Sequence, residues 1–180
     1  KPLIFFRNSS KFVLLDNTLS PQGEVIDLFE IHPGWVSAVC SSIDQHYWLF
    51  DVDTQELIRL DASFNEVTNS GNLTQLTGVS IVPDRLWERD SHVYALTEDY
   101  VMIFDLFGTF LRKIDIRDAK DVHITPNGII TLADSGVLSR YQMLDYKFTP
   151  LDTIQSSFDK ATFVNGFAFA MKGGEVSVIR

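Results

Sequence analysis

VMIFDLFGTFLRKIDI (residues 101–116) runs four apolar residues into an aspartate, breaks at a short Gly-containing segment, and resumes with polar residues between apolar ones. Similar phrases stand at 12–28 (FVLLDNTLSPQGEVIDL) and at 57–73 (LIRLDASFNEVTNSGNL). Aligned on the aspartates that end the apolar runs, Asp16, Asp61 and Asp105 lie 45 and 44 residues apart. A degenerate fourth copy at 137–154 (VLSRYQMLDYKFTPLDTI) places Gln142 where the aspartate would fall, 37 residues on. Periods near ~40 residues belong to propeller blades or to helical solenoids.

Strand signals decide between the two. The segments are short, rich in Val, Ile, Leu, Phe and Tyr, and bounded by turn residues in DNTLSPQG, DVDTQE, TPNG and MKGG. No stretch holds a helical apolar period long enough for a helix to compete. Each period divides into four strand candidates, the number a blade requires. In the second unit these are VSAVCSS (36–42), HYWLFD (46–51), LIRLD (57–61) and a weak strand within 66–73. In the third they are GVSIV (78–82), HVYALT (92–97), VMIFD (101–105) and TFLRKIDI (109–116). In the fourth, DVHIT (121–125), GIITLA (128–133), VLSRYQ (137–142) and KFTPLDTI (147–154) fill the same places. The middle strands are almost continuously apolar, as expected of sheets buried on both faces. The last strand of the third unit alternates, with Ile114 and Ile116 set to face inward and Lys113, Asp115 and Arg117 to meet water, as a guarded edge strand would.

The expected fold is therefore an all-β propeller of four-stranded antiparallel blades, about four to five of them within the sequence. One domain spans 1–180, with a partial blade at 1–30, blades at about 34–74, 77–117 and 120–156, and a partial blade at 160–180. LIFF (3–6) takes the place of a second strand, while ATFV, FAFAM and EVSVI supply three strands without an outer one. The expectation is part of a six-bladed ring with further sequence outside it. A four- or five-bladed ring closed by shared strands is the alternative.

Composition excludes some functions. Hydrophobic residues make up 45% and charged residues 22%, which describes a globular chain. Lys plus Arg number 15 against 24 for Asp plus Glu, a net charge of −9 that repels phosphate backbones, so no nucleic-acid partner is expected. No apolar run reaches the length of a membrane span. The single Cys40, in WVSAVCSS, allows no intramolecular disulfide and reads as a structural thiol.

FVLLDNTLSPQGEVIDL, VCSSIDQHYWLFDVDTQELIRLDASFN (39–65) and VMIFDLFGTFLRKIDI together resemble a family of uncharacterised exported, lipoprotein-like β-propellers from Bacteroidetes-type bacteria. The likeness covers roughly residues 10–120, and the remainder more loosely. It implies a periplasmic or outer-membrane-anchored location, with a secretion or lipoprotein signal and further propeller-like sequence before residue 1. It implies no activity and transfers no functional residue. The repeat is also similar to the NHL and YVTN propellers, and lacks the Trp-Asp and Gly-His signatures of WD40 repeats.

Candidate sites divide into structural and functional readings. Asp16, Asp61 and Asp105 read as turn seeds, because Asp accepts hydrogen bonds from its own downstream amides. DVDTQE (51–56) has the acidic start of a calcium loop but lacks the glycine and distal glutamate, and reads more simply as a solvated hairpin turn. The four histidines show no metal spacing. His123, on the expected innermost strand, is the candidate for a channel-facing group. No catalytic residue and no cofactor are expected. A calcium-dependent propeller hydrolase of lactonase or esterase type, or a small-ligand propeller, is the alternative. Trp48 reads as packing between blades. Trp87, in the loop VPDRLWERDSH, together with Trp35 and Phe107, is the candidate contact for a protein partner in an envelope assembly.

Overall fold

In the computed structural model, which describes residues 2–125, 128–133, 135–153, 160–164 and 167–179, the apolar runs become strands in five antiparallel meanders. The chain forms two compact units, one up to Asp115 and one from Ile116 onward. Pro126 and Asn127 of the expected TPNG turn lie outside the described residues.

In the first unit, β1 (Leu3–Phe6), β2 (Lys11–Leu15) and β3 (Pro21–Asp27) form a three-stranded sheet. A four-stranded sheet follows in the order β4 (Val36–Ser41), β5 (Tyr47–Asp51), β6 (Glu56–Leu60), β7 (Glu66–Asn69). The next runs β8 (Arg85–Arg89), β9 (His92–Leu96), β10 (Tyr100–Asp105), β11 (Phe110–Asp115). Strands β4 and β8 lie side by side as the leading strands of their sheets, with β1 beside β4.

Strand β5 shows why its sequence carries no polar alternation. Trp48 and Phe50 enter one core with Leu86, Val93 and Phe104 of the following sheet. Tyr47 and Leu49 point the other way, into a second core with Phe12, Leu28 and Val36. Both faces are buried, so every position is apolar until Asp51. Trp48 is the packing residue expected, fully buried, with its indole N–H donating to Glu88 Oε2 at 2.7 Å. The outer strand β11 behaves as read: Ile114 is buried while Lys113 and Asp115 are exposed.

One strand was misplaced by the sequence reading. GVSIV (78–82) forms no strand, and the leading strand of that sheet is Arg85–Arg89. Gly78 instead caps a short helix, α2 (Leu73–Thr77), at φ 72°, and Ile81 is held by a side chain from the preceding sheet. Trp87 accordingly lies on strand β8 opposite Tyr94, not in a loop. A second one-turn helix, α1 (Leu28–Ile31), begins where the Asp27 carboxylate accepts the Phe29 amide.

In the second unit, β12 (Ala119–Thr125), β13 (Gly128–Ala133), β14 (Val137–Gln142) and β15 (Lys147–Thr153) form a four-stranded sheet. Strands β16 (Lys160–Val164), β17 (Phe167–Lys172) and β18 (Glu175–Ile179) form a three-stranded one.

The repeated aspartate is a turn device. Asp16 Oδ1 accepts the amides of Thr18 (2.8 Å) and Ser20 (2.9 Å). Asp61 Oδ1 accepts those of Ser63 (2.8 Å) and Asn65 (2.9 Å), and Asp105 Oδ1 those of Phe107 (2.8 Å) and Thr109 (2.9 Å). In each turn the third residue after the aspartate has positive φ: Leu19 (62°), Phe64 (64°) and Gly108 (81°). The fourth copy departs as its Gln142 foretold, closing instead by a bond from the Tyr146 amide to the Gln142 carbonyl.

Candidate functional site

The β5–β6 turn, residues 51–55, gathers two connections onto one end of its sheet. Asp51 Oδ1 accepts the amides of Asp53 (2.7 Å) and Thr54 (3.1 Å), which folds the turn. Its other oxygen, Oδ2, lies 2.5 Å from His32 Nε2 in the connection between β3 and β4. Gly34 makes that approach possible: a Cβ there would stand 2.2 Å from Asp51 Oδ2. Asp53 Oδ2 then accepts the Trp35 amide (2.9 Å), and the Val52 amide donates to the Trp35 carbonyl (2.8 Å).

Gln55 ties the same turn to the connection between β7 and β8. Its Nε2 donates to the carbonyls of Val52 and Ile81, each at 2.9 Å, and its Oε1 accepts the Ile81 amide at 2.7 Å. Asn72 Nδ2 donates to the Thr54 carbonyl (2.8 Å) while its Oδ1 caps α2. The DVDTQE stretch is the hairpin turn expected, but solvated only at its tip. Asp51 and Gln55 are buried, and Asp53 and Thr54 alone within 51–55 are exposed.

The loops so tied carry exposed apolar side chains: Phe29 (57%), Trp35 (48%), Leu76 (59%) and Val82 (42%). Strand alternation places Phe107 at the opposite end of its own sheet. The residue is 77% exposed, its amide is held by Asp105, and its carbonyl accepts the Thr68 hydroxyl at 2.9 Å. The structure therefore does not bring Trp35 and Phe107 together. Trp87 is half-buried on β8. His123 lies on β12 of the second unit, as expected, with Nε2 3.0 Å from Asp121 Oδ2.

Sequence reasoning missed the hub because its partners are far apart in the chain. The "HPG" of 32–34 was the available signal, a glycine beside a histidine directly before a strand. Cys40 is free and partly buried. Desolvation, reinforced by the nearby Glu88 carboxylate, pushes its thiol well above the ordinary range, an inert character for a cysteine. Among the described residues no three His, Cys, Asp or Glu side chains gather as metal ligands would, and no helix is long and apolar enough to cross a membrane.

No protein-family model and no curated protein matches the chain. Solved structures do. A catalytically inactive virginiamycin B lyase from Staphylococcus aureus with quinupristin is 9% identical at a TM-score of 0.61, covering 99% of this chain and 65% of its own. BamB from Moraxella catarrhalis is 14% identical at 0.55, covering 94% and 51%. The BBS1 fragment in complex with ARL6 is 13% identical at 0.59, covering 94% and 58%. The chain spans between about half and two thirds of the length of these structures. At such identities the likeness is one of fold, and the fold is the all-β propeller, with four-stranded antiparallel blades.

Proposed function

We propose that the chain is a non-enzymatic binding or scaffolding propeller of the bacterial cell envelope, recognising a protein partner through the loop end around the 51–55 turn. Trp35 carries this reading. Its main chain is held on both sides, amide by Asp53 and carbonyl by Val52, while its ring stays half exposed. An aromatic anchor fixed before encounter loses little freedom on binding, and Trp is among the side chains that dominate interface energies. Phe29, Leu76 and Val82 extend the same surface. The complex of the BBS1 fragment with ARL6 supports such a use of the fold. An exported, anchored location rests on the sequence resemblance.

Quantitative affinity capture from the native host tests the reading, with wild type, Trp35→Ala and Phe107→Ala compared side by side. The expected result is a partner retained by wild type and Phe107→Ala and depleted at least tenfold with Trp35→Ala. Equal retention by Trp35→Ala overturns the placement of the surface. Stoichiometric calcium binding, read by calorimetry on the same protein, would turn the reading toward a calcium-dependent propeller hydrolase.

A further inference from the structure

A cavity of about 300 Å³ opens where β1, β4 and β8 lie side by side, lined by Phe5, Arg7, Ser37, Val39, Arg85 and Trp87 among others. Arg7 is fixed across three sheets. Its Nε donates to the Ser37 carbonyl (2.6 Å), Nη1 to Asp84 Oδ1 (2.9 Å) and Nη2 to the Pro83 carbonyl (2.5 Å). A guanidinium has more N–H groups than these bonds use. Arg85 lies over the Trp87 ring, 5.8 Å from its centroid, and among the described residues makes no ion pair.

Ser37 supplies a second, independent observation. It is 1% exposed, and its hydroxyl has no hydrogen-bond partner. It stands where the pairing of β4 with β5 shifts register between Val36 and Ala38, an irregularity of the kind that re-aims side chains beside sites. Buried polar atoms are nearly always partnered, so this lone hydroxyl, on a residue of the cavity lining, is the polar atom a bound ligand would engage by a small shift of that lining.

Charge selects the ligand. The chain carries −9, yet at this cavity two guanidiniums meet one carboxylate, Asp84, which Arg7 already holds. Guanidinium forks match a carboxylate bidentately, and an indole face accepts a flat apolar body. The negative field of the whole chain disfavours a ligand with a second negative charge. We infer that this cavity binds a small organic monocarboxylate with a flat apolar body. The carboxylate meets Arg85 and the remaining donors of Arg7, the body lies against Trp87 and Phe5, and Ser37 stands beneath it.

Titration with benzoate, followed through the Trp87 indole resonance, tests the inference, with benzamide and phenyl phosphate as probes of equal shape. Benzoate is expected to saturate in the millimolar range, and the other two to bind at least tenfold more weakly. Arg85→Gln, at an exposed position, keeps the fold and weakens benzoate at least tenfold. Ser37→Ala weakens it by a smaller factor, and Trp35→Ala leaves it unchanged. Absence of saturation, equal binding of benzamide, or an unaffected Arg85→Gln variant overturns the site. The Trp35→Ala arm keeps its failure separate from that of the partner surface.

Discussion

The Gln55 carboxamide holds both the amide and the carbonyl of Ile81, 26 residues further along the chain, in a buried pair of hydrogen bonds. One side chain thereby does for the connection into β8 what a neighbouring strand would do. Gln55→Ala leaves a buried N–H and C=O without partners and is expected to lower stability by about 2 kcal/mol. Urea denaturation of the purified chain measures this. A loss below about 0.5 kcal/mol would mean that water replaces the carboxamide.

Gly34 predicts a sharper failure. An added methyl group would collide with the Asp51 carboxylate and crowd His32 Nε2. Because Asp51 also folds its own turn, the strain reaches residues 52–54. Gly34→Ala should cost about 1–3 kcal/mol, in the range of overpacked interiors. The His32 ring resonances should move with it, and unchanged His32 shifts would contradict the contact.

The turn aspartates predict a pH dependence. The Thr18 hydroxyl, then the Ser20 and Thr18 amides, hold Asp16 below the usual carboxylate range, and the Asn65 amide is the leading cause for Asp61. The folded chain therefore binds fewer protons than the unfolded one in this range. The stabilisation is fully present above the unfolded value, near about 4, and is lost as pH falls through the folded values. Asn keeps the turn but does not titrate, so Asp16→Asn/Asp61→Asn should flatten the acid limb of stability against pH by lowering stability at neutrality while matching wild type at the acid end. An acid limb identical to wild type would show that other carboxylates set it.

Cys40 predicts a reactivity. With its thiol displaced upward by burial and by Glu88, the native chain should resist thiol-directed reagents at pH 8 and react promptly once unfolded in urea. Fast native-state labelling, followed spectroscopically, would contradict the burial.

What the sequence made legible was local and repeated. Asp16, Asp61 and Asp105 each organise their own next four residues, so their role stands in a single line of sequence. Strand β5 was legible because burial on both faces leaves an unbroken apolar run. Strand β8 was not. Arg85, Trp87 and Arg89 interrupt its apolar positions, whereas Val79, Ser80 and Ile81 look strand-like yet serve as connection and as ligand for Gln55. The hub was equally hidden, because His32 and Asp51 stand 19 residues apart and meet only through the glycine between His32 and β4.

The aspartate turn also separates shape from display. Its backbone is set by one carboxylate, whatever occupies the third position after it. Leu19 projects into solvent there, Phe64 stacks on Tyr47 with ring centroids 5.4 Å apart, and Gly108 lets the turn settle against Asn69 and Ser70. Three blades thus hold one frame and vary a single mounted residue, as a rack holds interchangeable heads. Exchange of the exposed side chain at Leu19 is where this fold can acquire a new contact without redrawing a blade, whereas a Cβ at Gly108 would press on the Asn69 backbone.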